Sequence, residues 1–261
     1  MTQTKQFSGK VAIVTGAGEG IGRKIAESLV EAGASVLIND VDEAKAQRVA
    51  GQIARLGNCI GVGGDVGDVA VVRGLVERAV AEFGRIDIAV ANAGITLWNS
   101  FLDYKSADFQ RVLNVNLGGS FFLAQAAARQ MRLQNDSGRI LFMSSVTGIQ
   151  AIEYLSAYAM TKAALSMLAR QLVTELAQHN ITVNAIAPGA TVTPRNLHDD
   201  PDYEAVWSKI TPTQRPAFVD DIANAALFLL SPQAAQINGQ TLVVDGGWTA
   251  TSPVPSLDFV K

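Results

Sequence analysis

Short runs rich in Val, Ile and Ala alternate along the chain with longer stretches in which apolar residues recur every three or four positions. The first pattern is that of strands, the second that of helices lying against them. Strands are predicted over 11–15, 35–39, 59–63, 86–91, 139–144, 181–187 and 241–244, and helices over 21–32, 43–56, 69–83, 107–131, 157–178 and 220–230. Several of the strands are apolar on both faces, so both faces of their sheet must be covered. Sustained alternation with helices then predicts an α/β fold, a doubly wound, seven-stranded parallel sheet with helices on both faces. Gly33 and Gly57 fall just past helices, and Asp42 and Asp220 are placed as caps or first-turn acids. Two irregular stretches, 94–106 and 188–216, both follow strands, and the second is long enough to be an active-site lid.

Directly after the first strand, Thr15-Gly16-Ala17-Gly18-Glu19-Gly20-Ile21-Gly22 runs into a helix. Glycines let a backbone turn tightly and approach a pyrophosphate, whose charge is favoured by the free N–H groups and dipole at a helix start. The spacing is Gly16-x-x-x-Gly20-x-Gly22, with Ile21 where the commoner dinucleotide fingerprint has its last glycine. Asp40 ends the second strand, near the interval of about 20 residues at which an acid meets the adenosine ribose. Its alternative role is a cap for the following helix. A 2′-phosphate carries a charge of about −1.5 to −2, and a unit charge pair about 4 Å apart is worth roughly 4 kcal/mol at an effective dielectric of 20. Asp40, with Glu19 as a second negative charge and Val41 in place of a phosphate-binding arginine, therefore favours NAD over NADP.

Tyr158 and Lys162 are four residues apart in a helical segment and project from one face. Ser145 lies just beyond a strand ending Leu141-Phe142-Met143-Ser144, at the carboxyl edge where open α/β sheets bind ligands. Together with the glycine loop, these residues resemble the classical short-chain dehydrogenases/reductases over nearly the whole chain. Asp65-Val66 resembles that family's adenine-contacting pair, and Asn92-Ala93-Gly94 its Asn-Ala-Gly motif, with Ala91 where many members have a second asparagine. Asn116 matches its helix asparagine, with Asn114 as the neighbouring alternative. Pro188-Gly189 and Thr193 resemble its nicotinamide-side motif, and Thr191 between them joins the cofactor-binding set with Tyr158 and Lys162. The segment from Asn238-Gly239-Gln240 through Asp245-Gly246-Gly247 resembles its closing strand.

The resemblance implies a Rossmann fold over residues 1–250, a tail over 251–261, and hydride transfer between NAD and a carbinol carbon. Tyr158 is then the acid/base, taking the hydroxyl proton during oxidation. Its reference pKa is near 10, and lowering that by about 3 units takes roughly 4 kcal/mol, so a cation must be close. Lys162 and an oxidised nicotinamide ring are the expected sources. Ser145 is expected to orient the substrate oxygen, Asn116 to hold a water linking Lys162 to solvent, and Thr193 to orient the carboxamide.

The segment expected to close over the substrate includes Pro188-Gly189-Ala190, Thr193-Pro194-Arg195-Asn196, His198, Tyr203 and Trp207. Leu97, Trp98, Gln150, Glu153 and Tyr154 are expected opposite. Ser145, Tyr158, Gln150, Glu153, Tyr154, Asn196 and His198 are the expected substrate contacts, a set of hydrogen-bonding groups suited to a polyhydroxylated ligand. The lid stretch from Pro188 to Asn196 also resembles that of glucose 1-dehydrogenases, which implies a sugar or polyol oxidised to a lactone or keto-sugar. Two alternatives stand. One is reduction of a small ketone or 3-oxoacyl thioester, for which only Arg195, Lys209 and Arg215 offer a basic patch. The other is a non-catalytic nucleotide-binding protein, against which all four catalytic candidates speak.

Composition narrows the partners. In 261 residues, 48% apolar, one large domain fits, or two at most. With 17% charged residues and a net charge of −3, neither a nucleic-acid footprint nor a polybasic membrane patch is present, which leaves a small molecule as partner. Residues 1–10 lack a secretory apolar run, and a cytoplasmic enzyme without membrane contact is expected. Cys59 is the only cysteine, and His179 and His198 stand apart, so neither a disulfide frame nor a metal cluster is expected. The acidic run Asp199, Asp200, Asp202 and Glu204 lacks a calcium loop's spacing and reads as a solvated loop. A mean hydropathy of +0.19 fits a subunit that buries surface in partners, and the resemblance implies a homotetramer.

Overall fold

A computed structural model describes residues 5–251, so all but the first residue of the expected C-terminal tail lies outside the described residues. The chain begins β1 (Val11–Val14), α1 (Gly20–Glu31), β2 (Ser35–Asp40), α2 (Glu43–Ile53), β3 (Cys59–Gly63), α3 (Val69–Phe83) and β4 (Ile88–Ala91). Every residue of β1 and β4 is buried, as strands covered on both faces must be. Local signals set the boundaries. Asp42 caps α2 by accepting a bond from the N–H of Lys45, Asp68 caps α3 through the N–H of Ala70, and Gly84, at φ 82°, ends α3 in a left-handed turn.

The second half contains α4 (Ser106–Val112), α5 (Gly119–Gln134), β5 (Gly138–Met143), α6 (Ser156–Leu176), β6 (Ile181–Pro188), β7 (Thr191–Val192), α7 (Pro194–Asp199), α8 (Tyr203–Ser208), β8 (Ala217–Phe218), α9 (Val219–Leu230) and β9 (Thr241–Val244). Seven strands form one parallel sheet in the order β3-β2-β1-β4-β5-β6-β9. The order reverses between β1 and β4, where Val14 lies beside both Ile38 and Val90, and the reversal opens a crevice at the carboxyl ends of those strands.

Two apolar clusters cover the sheet. Val14, Ile38, Val90 and Leu141 face Ile25 and Leu29 of α1 and Ile222 and Leu229 of α9. Ile13, Leu37 and Phe142 face Leu75 of α3, Leu123 of α5 and Leu165 of α6. Each such buried side chain is worth about 1.5–3 kcal/mol, which holds the crevice on a rigid frame. No helix among the described residues is long and apolar enough to cross a membrane.

The structure departs from the sequence pattern in two places. The helix expected over 107–131 is divided into α4 and α5 by a π-helical turn, Leu113–Gly118. The stretch 188–216 is not irregular, since it holds β7, α7 and α8, and β7 pairs in parallel with β8.

Candidate active site

A cleft of about 380 Å³ follows the carboxyl edge of the sheet from β2 to β6. Its floor is the glycine loop, built by packing against β4. Gly16 has φ +61°, and a Cβ there would lie 2.7 Å from the Cα of Ala93, so a side chain would push the loop off its support. Asn92 holds it in place: its Nδ2 donates to the carbonyls of Thr15 and Gly16, at 2.9 and 3.0 Å. The N–H groups of Asn92 and Ala93 in turn donate to Thr15 Oγ1, both at 3.2 Å. Helix α1 then begins without a side-chain cap and without an acid in its first turn, leaving its opening N–H groups at the cleft. A close-approaching backbone beside an uncapped twelve-residue helix fits the pyrophosphate of a dinucleotide.

At the outer end, Asp40 Oδ2 accepts a bond from the N–H of Gly18 at 3.1 Å, and Oδ1 accepts one from the N–H of Asp42 at 3.2 Å. The cap of α2 is Asp42, which leaves Asp40 in the cleft lining beside exposed Val41. Glu19 does not carry the free negative charge expected of it, because Lys45 Nζ lies 2.5 Å from its Oε2 and neutralises it locally. The acid at this end without an ion-pair partner among the described residues is Asp40.

At the inner end three side chains converge. Ser145 follows β5 as a buried residue whose Oγ accepts a bond from the N–H of Thr147. Tyr158 lies in the first turn of α6, and Lys162 follows one turn later with its Nζ 5.3 Å from the Tyr158 ring centre. The Lys162 ammonium donates to the carbonyl of Met143 at 2.7 Å, and Ser144 Oγ donates to the carbonyl of Lys162, also at 2.7 Å, so α6 is tied to β5 at the site.

Asn116 lies in the π-helical turn, fully buried behind Gly94. Its Oδ1 accepts from the N–H of Ile95 at 2.8 Å, and its Nδ2 donates to the carbonyl of Ile95 and to Thr161 Oγ1. A Cβ on Gly94 would lie 3.3 Å from Lys162 Nζ and 3.4 Å from Asn116 Oδ1, so the glycine leaves open the space between those two groups. Asn114 is exposed and bonded to Gln110, which excludes it from this position.

The electrostatics differ from the expectation. Burial pulls the Lys162 ammonium down to about 8. Burial also pushes the Tyr158 hydroxyl up, and Lys162 does not reverse this. Opposing the rise are a hydrogen bond to Ser145, the charge of Arg195 and a hydrogen bond to Thr96. Arg195 and Thr96 line the cleft, with Arg195 Nη2 donating to the Thr96 carbonyl at 3.2 Å across 99 residues of sequence. Arg195 was expected in the closing segment, but its contact with Thr96 was marked by no local motif, because it forms only when the lid folds over the loop after β4.

The lid is built from short elements. Thr193 caps α7 by accepting from the N–H of Asn196, Pro194 takes the first helical position, and Asn196 Nδ2 donates to the carbonyl of Thr191 at 2.9 Å. A Cβ on Gly20 would lie 3.6 Å from Thr193 Cγ2, so the lid meets the glycine loop there. Trp207 of α8 packs between Tyr203 and Trp248, with ring centres 5.9 and 5.8 Å away.

The cleft brings together Gly16, Glu19, Gly20, Ile21, Asp40, Asp65, Val66, Asn92, Ala93, Gly94, Ser145, Tyr158, Lys162, Pro188, Gly189, Thr191, Thr193 and Asn196. Gly18 is buried beneath Asp40 and outside the lining. Gln150, Glu153, Tyr154 and His198 are exposed and also outside it. The loop carrying the first three is held by a bond from the N–H of Asn99 to the carbonyl of Tyr154, which itself has φ 64°, and Tyr154 remains half exposed.

A family model described as enoyl-(acyl carrier protein) reductase matches residues 16–249. The chain is 38% identical over 247 residues to an L-rhamnose 1-dehydrogenase (NAD(P)(+)) of Sphingomonas sp. (strain SKA58), covering 93% of this chain and 97% of that protein. A crystal structure of a short-chain type dehydrogenase/reductase from Mycobacterium marinum superposes with a TM-score of 0.89 at 36% identity, over 95% of this chain and 98% of that one. A 7α-hydroxysteroid dehydrogenase complexed with NADH and 7-oxo glycochenodeoxycholic acid superposes with a TM-score of 0.88 at 38% identity, over 95% and 98% of the two chains.

Proposed function

This chain belongs to the short-chain dehydrogenase/reductase family, an oxidoreductase acting on CH–OH groups, and from that premise we propose that it oxidises a sugar or polyol with NAD as the acceptor. The observation that carries the reading is the meeting of Ser145, Tyr158 and Lys162 at the inner end of a cleft whose floor is the uncapped start of α1. Relatives bind NAD(P), and Asp40 at the ribose end supports NAD in particular. The similarity to an L-rhamnose 1-dehydrogenase supports a sugar.

A nicotinamide cofactor held by the glycine loop, Asp40, Asp65-Val66, Asn92-Ala93-Gly94 and the Pro188–Thr193 segment supplies the hydride acceptor. The chain's own residues handle the proton and the geometry. Ser145 donates a hydrogen bond to the substrate oxygen and places it against Tyr158. The Tyr158 oxygen, as phenolate, removes the hydroxyl proton, and in the reverse direction returns it. Lys162 holds the ribose side of the cleft, Ser145 and Arg195 favour the phenolate, and Asn116 and Gly94 leave room for a water on the path from Lys162 to solvent. Asn196 contacts the sugar hydroxyls, and Gln150, Glu153, Tyr154 and His198 form the outer rim that a larger ligand reaches.

A homotetramer in the cytoplasm completes the proposal. Exposed Phe121 and Met167, beside Leu113 and Leu117 in an apolar groove between α5 and α6, support burial of that face against another copy. The test of function is the initial rate of NADH or NADPH formation against aldoses, polyols and simple secondary alcohols, with Tyr158→Phe as control. Oxidation of aldoses with NAD, abolished in the variant, upholds the reading; activity confined to ketone reduction overturns it.

A further inference from the structure

Within the sugar reading, on which this rests, we propose that Arg195 binds a carboxylate of the substrate, so that the enzyme prefers an acidic sugar to its neutral counterpart. Arg195 lines the cleft from α7, at the end that holds Ser145 and Tyr158. Its guanidinium has five donors, and the one bond it makes among the described residues is from Nη2 to the neutral carbonyl of Thr96. Its one carboxylate neighbour within ion-pair distance among the described residues is Asp199, reached through Nε at 3.7 Å, too far for a hydrogen bond. With both side chains about half exposed, such a pair adds little and leaves the guanidinium largely uncompensated.

The neighbouring groups are neutral or already committed. Thr96, Ser145, Thr193 and Asn196 are uncharged, and Lys162 lies deeper and donates to the Met143 carbonyl. Glu153, the acid expected at this end, is outside the cleft, and Asp40 sits at the opposite end beside Gly18. The mouth of the reaction site therefore presents a planar cation with donors to spare. A carboxylate matches that fork with two parallel bonds, whereas a neutral hydroxyl gains nothing from the charge. Neutral hydroxyl partners for the rest of a sugar remain in Ser145, Thr96 and Asn196.

The experiment compares matched pairs, D-glucose with D-glucuronate and D-galactose with D-galacturonate, which differ by a CH2OH or a carboxylate at the far carbon. The readout is the ratio of kcat/KM, acid over neutral, in the full-length wild type, in Arg195→Gln and in Arg195→Lys. Any influence of Arg195 on Tyr158 acts on both members of a pair and cancels. The expected wild-type ratio is about tenfold or more, collapsing toward unity in Arg195→Gln and partly kept in Arg195→Lys, which retains charge but not the fork. Neutral sugars oxidised as well as acids, or a ratio unchanged in Arg195→Gln, overturns the carboxylate site while leaving the sugar reading intact. Failure of both kinds of sugar, with other alcohols oxidised, overturns both.

Discussion

The ammonium of Lys162 donates to the carbonyl of Met143 at 2.7 Å in a site where burial has pulled its pKa down to about 8. An unfolded chain binds that proton up to about 10.5, so between the two values the unfolded state holds more protons and stability rises with pH. Below about pH 8 the whole penalty applies, on the order of 3 kcal/mol. Lys162→Met removes the penalty and forfeits one hydrogen bond worth about 1 kcal/mol. The variant is expected to be inactive yet to melt several degrees higher at pH 7 without dinucleotide, with the gain shrinking toward pH 10. Thermal denaturation at the two pH values checks this; a variant less stable at pH 7 contradicts it.

Tyr158 needs its phenolate form to accept a proton, and burial opposes that form. The oxidation rate is therefore expected to climb with pH. The charge of Arg195 and the hydrogen bond from Ser145 both lower the Tyr158 pKa, so removing either raises it and moves the climbing limb to higher pH. Profiles of kcat/KM against pH for Arg195→Met, with a neutral sugar so that no substrate charge enters, measure the displacement. Arg195→Lys is expected to restore most of it. A limb that stays in place would show that Arg195 exerts no field on the phenol.

Legibility in the sequence followed the range of the interaction. The sheet could be read because β1 and β4 are apolar throughout and β6 is apolar but for Thr182 and Asn184, and Asp42 and Asp68 announce their helices from three or fewer residues away. Thr193-Pro194 is a helix start of the same local kind, although a six-residue helix is too short to show periodicity. The π-helical turn was hidden because Val112 and Val115 keep the three-residue spacing of a continuous helix. What selects the turn is Asn116 bonding to Ile95 and Thr161, 21 and 45 residues away. The neutralisation of Glu19 by Lys45 and the contact of Arg195 with Thr96 are likewise tertiary, and they altered the two electrostatic expectations the sequence could only sum residue by residue.

Asn92 links the end of β4 to the glycine loop through the carbonyls of Thr15 and Gly16. Asn92→Ala leaves both acceptors without this partner, at about 1–3 kcal/mol for a buried group. Because the loop is the cofactor's floor, the loss is expected mainly as dinucleotide affinity weakened roughly tenfold or more. Titration of NADH fluorescence measures it, and melting temperature separates it from unfolding. Unchanged affinity would mean that the packing of Gly16 on Ala93 suffices to hold the loop.

The proposed preference for NAD is tested at two neighbours of Gly18, where a built Cβ would meet the Asp40 carboxylate and lie 3.1 Å from Lys45 Cδ. An anion and a cation thus stand side by side at the ribose end, and the cation is engaged with Glu19. Asp40→Asn keeps an acceptor for the Gly18 N–H while deleting the charge that repels a 2′-phosphate. The kcat/KM for NADP relative to NAD is expected to rise by about 10- to 100-fold, less than the roughly 4 kcal/mol of an unscreened pair at an effective dielectric of 20. Adding Glu19→Gln frees Lys45 to meet the phosphate, and the double variant is expected to gain beyond the sum of the separate effects, because the two substitutions act on one ligand group. Steady-state kinetics with both dinucleotides decide it. If Asp40→Asn leaves the ratio unchanged, the discrimination does not arise at Asp40; if only the double variant changes it, the bound state of Lys45 is the stronger control.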